Sequence, residues 1–152
     1  MKKVKNTKIG KIGITEKDGF ISELNFFEEG ASDRGSSPLL DEAFRQVDEY
    51  LAGKRRDFDL PLKPEGTEFQ KRVWNALLRI EYGKTASYKD VAEMAGSPKG
   101  FRAVGGANRV NPIPLIIPCH RCIAADGSIG GFSSGLDMKR TLLAIESPDL
   151  LS

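Results

Sequence analysis

Ser87-Tyr-Lys-Asp-Val-Ala-Glu-Met-Ala-Gly-Ser-Pro-Lys-Gly-Phe-Arg-Ala-Val-Gly-Gly-Ala-Asn-Arg109 reads as two short helices joined by a tight turn. Ser87 can cap the first helix, with Asp90 three residues on, and Val91, Ala92 and Met94 give it an apolar face up to Ala95. Gly96-Ser97-Pro98 supplies the turn, and the second helix is predicted over Pro98–Arg109. Helix, glycine-containing turn, helix is the helix-turn-helix pattern. Many helical domains contain such a hairpin without binding DNA, so the pattern alone leaves both readings open.

The composition of the second helix narrows the choice of ligand. Ala103, Gly105, Gly106 and Ala107 are small, and each interior glycine costs about 1 kcal/mol relative to alanine. Close approach of another surface offsets that cost, whether neighbouring backbone or a narrow DNA groove. A major-groove reader carries long polar side chains for base edges. This helix has few, which suits a shape-fitting minor-groove contact, with Lys99, Arg102 and Arg109 left for phosphate or wedge roles.

Immediately downstream, Pro112-Ile-Pro-Leu-Ile-Ile-Pro-Cys-His-Arg-Cys122 holds both cysteines and the sole histidine of the chain in its last four positions. Three prolines fix dihedrals and remove backbone donors, so an ordinary helix is excluded. The segment reads as a buried extended run presenting Cys119 and His120 at a rigid turn. A thiol of ordinary pKa supplies only a few per cent thiolate at neutral pH, and an adjacent imidazole can take its proton. That imidazole needs a carboxylate to orient it, and Asp126, Asp137, Glu146 and Asp149 are the candidates. Glu146 ends an apolar helix, Met138–Glu146, for which Ser134 is the expected cap.

Cys119-His-Arg-Cys122 has C-x-x-C spacing, but with no further Cys or His a closed Cys/His zinc site cannot be completed within this sequence. No metal is expected. A redox pair stays open beside a packing role for Cys122.

Upstream, Thr67-Glu-Phe-Gln70 is a capping-box pattern. Behind it Phe69, Val73, Trp74, Leu77, Leu78 and Ile80 form an amphipathic helix, with Trp74 read as core. Lys63-Pro-Glu-Gly66 is the candidate linker. Before it, strands are predicted over Thr7–Ile14 and Phe20–Phe26, joined as a hairpin through Glu16–Gly19. A helix follows from Ser37-Pro38 to Gly53, and then a short edge strand within Lys54–Leu62, limited by Pro61. Nothing in this third suggests chemistry.

The whole sequence sets outer bounds. Its 152 residues allow one domain or two small ones, with 29% charged and 39% hydrophobic residues, an ordinary globular composition. A net charge of +2 argues for nucleic acid only through local clustering. No apolar run approaches the roughly 20 residues of a membrane span, and no signal peptide is evident. Two close cysteines are no disulfide framework, so a reducing, intracellular setting is expected: cytoplasmic and nucleoid-associated, or nuclear in a eukaryote.

The helix opened by Ser87-Tyr88, then Arg102-Ala-Val-Gly-Gly-Ala107, Asn111-Pro112, Ile117-Pro-Cys-His-Arg-Cys122 and Gly127-Ser-Ile-Gly-Gly-Phe-Ser-Ser-Gly135 together resemble the methylated-DNA–protein-cysteine methyltransferases, the O6-alkylguanine-DNA alkyltransferases. The resemblance is detailed over Thr67–Glu146 and looser upstream. It implies an α+β chain: a ribonuclease-H-like α/β domain over 1–63, and over 64–152 a mainly helical, winged-helix-type domain with the helix-turn-helix. The implied activity is direct repair, a stoichiometric and irreversible transfer of the alkyl group of O6-alkylguanine, and of O4-alkylthymine, to Cys119 after minor-groove binding and nucleotide flipping.

The implied roles follow the motifs. Cys119 accepts the alkyl group, His120 takes its proton through a water, Glu146 orients His120, and Tyr88 donates to the departing guanine. Asn111 braces the reactive turn. Arg102 is the finger that enters the base stack, with Ala103, Gly105, Gly106, Lys99 and Arg109 also on DNA. Arg121, Cys122, Phe132, Ser133 and Lys139 are placed at the substrate pocket. The partner is double-stranded DNA carrying O6-alkylguanine; no cofactor and no membrane are implied, and a monomer is, with cooperative binding along DNA left open. Two positions depart from the family pattern: Phe132 where some members carry tyrosine, and Cys122 where valine is frequent.

Overall fold

The computed structural model describes residues 1–30, 35–132 and 134–147. The chain divides into two compact units, Met1–Glu65 and Gly66–Ser152, and the division falls inside the Lys63–Gly66 stretch.

In the first unit, strands β1 (Lys2–Thr7), β2 (Gly10–Lys17) and β3 (Phe20–Phe26) form an antiparallel sheet in that order. Asp18 and Gly19 both have positive φ, 53° and 82°, which makes the β2–β3 connection a two-residue turn matched to the strand twist. The strand predicted over Thr7–Ile14 is broken. Thr7 pairs with Gly10 around a second two-residue turn, with Gly10 at φ 106°. β1 escapes hydrophobic alternation because Val4 alone of its six residues is buried. The predicted edge strand shrinks to one bridge, in which Ile21 donates to the Pro61 carbonyl at 2.8 Å and accepts from Lys63 at 2.9 Å. Proline has no N–H with which to continue it.

Helix α1 (Pro38–Leu51) starts as the sequence predicts: the Ser37 hydroxyl accepts from the Leu40 amide, and Pro38 takes the first turn. It packs over β1 and β2. Leu40, Phe44, Val47 and Leu51 are buried in this unit, as are Ile12, Ile14, Ile21 and Leu24. Each contributes roughly 1.5–3 kcal/mol of hydrophobic stabilisation.

In the second unit, α2 (Glu68–Leu78) opens with the Thr67/Gln70 capping box, and α3 (Tyr88–Met94) opens with the same reciprocal pair from Ser87 and Asp90. Helix α4 begins at Phe101, not Pro98, and ends at Arg109. Pro98 and Lys99 instead lie in a turn closed by the Gly100 amide on the Ser97 carbonyl at 2.8 Å. Trp74 is buried, and its indole N–H donates to the Ala107 carbonyl at 3.0 Å, pinning α4 to α2. Helix α5 (Leu136–Glu146) follows Gly135 at φ 100°, with no side-chain cap, so Ser134 does not play the expected part.

The segment before Cys119 is buried, as its apolar residues require, but it is a tight turn and not an extended run. The Ile117 amide reaches back to the Ile113 carbonyl at 2.8 Å, and Leu115 adopts φ 75°. A non-glycine residue in that region costs of order 1–3 kcal/mol and persists only where the surroundings over-determine it. Prolines on both sides and the Asn111 side chain supply that constraint. The turn runs into a short 3-10 helix, Cys119–Arg121, and then into β5 (Cys122–Ile123). β5 pairs in parallel with β4 (Ala86–Ser87), which leads directly into α3. This pairing brings Tyr88, the first residue of α3, to the side of the cysteine turn.

Candidate active site

A cavity of about 310 Å³ opens in the second unit, lined by Tyr88, Gly105, Asn108, Arg109, Cys119, Gly131 and Phe132. That is the small end of ligand-pocket sizes. Cys119 is only 3% exposed, and burial pushes its thiol up to about 11, although the Asn111 amide and the Lys139 charge both pull the other way. The resting side chain is therefore S–H, and a base must remove its proton before it can attack.

The candidate base is held from behind. His120 is fully buried, and its Nε2 lies 2.7 Å from Glu146 Oε2. Arg121 reaches the same carboxylate, Nε to Oε1 at 2.8 Å and a terminal nitrogen to Oε2 at 3.1 Å, and donates to the Ile80 carbonyl at 2.6 Å. The Gly83 amide adds a contact to Oε1 at 3.2 Å. A carboxylate so surrounded by donors is ionised and only accepts, so Nε2 must carry the imidazole proton. Nδ1 then keeps the lone pair. Burial lowers the His120 pKa, against the opposing pull of Glu146, and so holds the ring neutral and able to accept.

Asn111 fixes the approach to Cys119. Its side-chain amide donates to the Ile117 carbonyl at 2.9 Å and its oxygen accepts from the Ile113 amide at 3.0 Å, clamping both sides of the turn. Tyr88 has its pKa raised, first by burial, and stays a neutral phenol that can donate. A Cβ on Gly130 would come within 3.0 Å of the Tyr88 hydroxyl, so the loop passes the phenol closely only because that residue is glycine.

The expected pocket residues divide. Phe132 lines the cavity, while Arg121, Cys122 and Lys139 are not among its lining residues. Arg121 is committed to Glu146. Cys122 is fully buried in β5, its thiol also pushed up to about 11 by burial. Lys139 is buried and donates to the carbonyls of Cys122 (2.7 Å) and Gly131 (3.0 Å), which ties the cavity loop to α5. Ser133 and Asp149 lie outside the described residues. Asn108 and Gly131 line the cavity without having been singled out. Asn108 sits one helical turn beyond Gly105, a spacing that identifies it once the cavity face of α4 is known.

On α4, Arg102, Ala103 and Arg109 are exposed, as is Lys99 in the turn before it. A Cβ at Gly106 would meet nothing within 4 Å, and at Gly105 only the Tyr88 ring, at 4.0 Å. Among the described residues, no neighbouring backbone explains these glycines. Gly106 has open space beside it, and Gly105 faces the cavity.

Residues 68–148 match the family described as 6-O-methylguanine DNA methyltransferase, DNA binding domain, and residues 1–64 match its ribonuclease-like domain. The chain belongs to this family. Among curated relatives, the methylated-DNA–protein-cysteine methyltransferase of Methanosarcina barkeri is 54% identical over 109 residues, covering 72% of this chain and 69% of the relative. That of Methanosarcina acetivorans is 47% identical over 137 residues, 90% of this chain and 80% of its own. Among solved structures, Mycobacterium tuberculosis OGT in complex with DNA superposes with a TM-score of 0.87 at 37% identity, covering 97% of this chain and 93% of that one. The α+β architecture, a ribonuclease-like domain followed by a DNA-binding domain, is the one the sequence resemblance implies.

Proposed function

We propose that the chain repairs DNA by moving the alkyl group of O6-alkylguanine, and of O4-alkylthymine, onto Cys119. One observation carries this reading: the cavity holds a buried thiol whose neighbouring imidazole is locked by a buried carboxylate, and the cavity opens beside a small-residue helix. An alkylated O6 is out of reach inside a duplex, so the nucleotide must leave the stack, at a cost of a few kcal/mol. Gly105 and Gly106 allow α4 to lie close against a minor groove, and Arg102 fills the space the nucleotide vacates. Arg109 and Lys99 meet phosphates.

The transfer balances simply. His120 Nδ1 receives the Cys119 proton through a water, the sulfur attacks the alkyl carbon, and the carbon–O6 bond breaks with its electron pair going to the purine. The Tyr88 hydroxyl donates a hydrogen bond to the purine anion that departs, and Glu146 stabilises the imidazolium whose positive charge balances that anion. Asn111 holds the turn in register throughout. The product is a thioether, a poor leaving group, so each molecule acts once.

Intact-protein mass after mixing with duplex containing O6-methylguanine tests the reading. The expected result is a gain of one methyl group, mapped to Cys119, with no more than one equivalent of DNA repaired. An unchanged mass beside tight DNA binding overturns it in favour of a recognition module. Affinity should fall with added salt and show little sequence preference, since phosphate contacts dominate.

A further inference from the structure

Phe101 is the first residue of α4, directly before Arg102, and is 46% exposed. An aromatic ring left that open on a helix whose other outward residues are small or charged calls for a partner. Helical spacing says where it lies. Positions 101, 105 and 108 form one stripe, and Gly105 and Asn108 of that stripe both line the cavity. Phe101 therefore lies on the same face of α4, one turn toward the helix N-terminus and beyond the residues that line the cavity. The guanidinium of Arg102 lies over its ring, 6.0 Å from the centroid.

The geometry points to Phe101 as a second DNA-contacting residue, a stacking platform that covers the face of a base bordering the gap while Arg102 occupies the gap itself. The inference rests on the function proposed above. A nucleobase face is the chemistry that fits. It is flat, apolar and present on all four bases, so stacking adds affinity without adding sequence preference. Apolar side chains set between base steps also help hold a duplex open. Arg102 and Phe101 divide the work: the cation fills the vacancy, and the ring replaces part of the stacking that the neighbouring base loses on extrusion.

The test compares Phe101→Ala, Phe101→Leu and Phe101→Trp on two substrates, duplex containing O6-methylguanine and free O6-benzylguanine, scored by alkylation of Cys119. Phe101→Ala should slow the duplex reaction about tenfold and leave the free-base reaction unchanged. Tryptophan should restore the duplex rate where leucine does not. With 2-aminopurine beside the lesion, binding by Phe101→Ala should give brighter fluorescence than binding by the wild-type chain, because the probe loses its stacking partner. The loss should persist in an Arg102→Ala background. If it vanishes there, Phe101 acts only by propping the arginine and the platform is refuted, as it is if Phe101→Ala matches wild type on duplex. A wild-type chain that alkylates Cys119 with neither substrate overturns the parent reading instead.

Discussion

The two units treat charge in opposite ways. In the first, Arg45 bonds Glu42 at 2.8 Å and Glu49 at 3.1 Å on the exposed side of α1, and Arg55, just past that helix, joins Glu49 at 3.0 Å. In the second, Arg121 and His120 meet Glu146 at 2.8 and 2.7 Å with side chains between 0% and 9% exposed. The bond lengths match; the settings do not. Surface pairs are screened and entropically costly to hold, so they add little to stability. A buried cluster carries a desolvation penalty of several kcal/mol per ion, often larger than its mutual attraction. The first unit uses charge to keep a scaffold soluble. The second tolerates a destabilising arrangement because it fixes which nitrogen of His120 carries a proton.

Breaking the buried cluster should have the largest effect. Glu146→Ala leaves Arg121 buried without its carboxylate, and a loss of about 3–5 kcal/mol is expected in denaturant unfolding. Glu146→Gln keeps the shape and should still slow alkylation of Cys119 by free O6-benzylguanine at pH 7; an unaltered rate would remove Glu146 from the mechanism.

Acid gives a second handle. His120 has a folded pKa below its ordinary value, so above about pH 6.5 both folded and unfolded states hold it neutral. Below that the unfolded chain binds the proton first, and the folded state loses stability as pH falls toward the lowered value. The alkylation rate should accordingly stay level through pH 6.5 and drop only in more acidic buffer. A midpoint at or above 6.5 would mean the ring is not held neutral by burial.

A pair of side-chain amides sharpens the contrast at smaller scale. Gln46 in the first unit bonds the Asp59 carbonyl at 3.1 Å and accepts from its amide at 2.8 Å, much as Asn111 clamps Ile113 and Ile117 in the second. Gln46→Ala and Asn111→Ala should each lose about 1–3 kcal/mol. Only Asn111→Ala should also slow transfer to Cys119, measured at a temperature where both variants are folded. The smallest effect belongs to Arg45→Ala, for which thermal unfolding should show no resolvable shift from wild type.

Sequence reasoning reached what is local. Ser37 with Pro38, Thr67 with Gln70, and Ser87 with Asp90 announce helix starts because a cap acts within three residues. It failed where the cause is distant. β1 is a strand because β2 pairs with it, not because its lysine-rich pattern alternates. Arg121 looks like a pocket residue until Glu146, 25 positions later, is seen to claim it. The turn at Leu115 combines three prolines, each legible, with an Asn111 brace that the family resemblance implies and with a positive φ at Leu115 that nothing local announces. The glycines of α4 left two readings open in sequence, and among the described residues no packed backbone lies beside them to account for them.

The protonated, 3%-exposed state of Cys119 has one more consequence. Under the proposed function this side chain is consumed only once and has to survive its own waiting time. Cells contain diffusible electrophiles and oxidants that attack thiolates, and a permanently ionised sulfur at this position would be lost to them before damage arrived. On that reading, keeping the sulfur protonated and walled in would give the molecule a long shelf life and leave its activation to the company of a bound base.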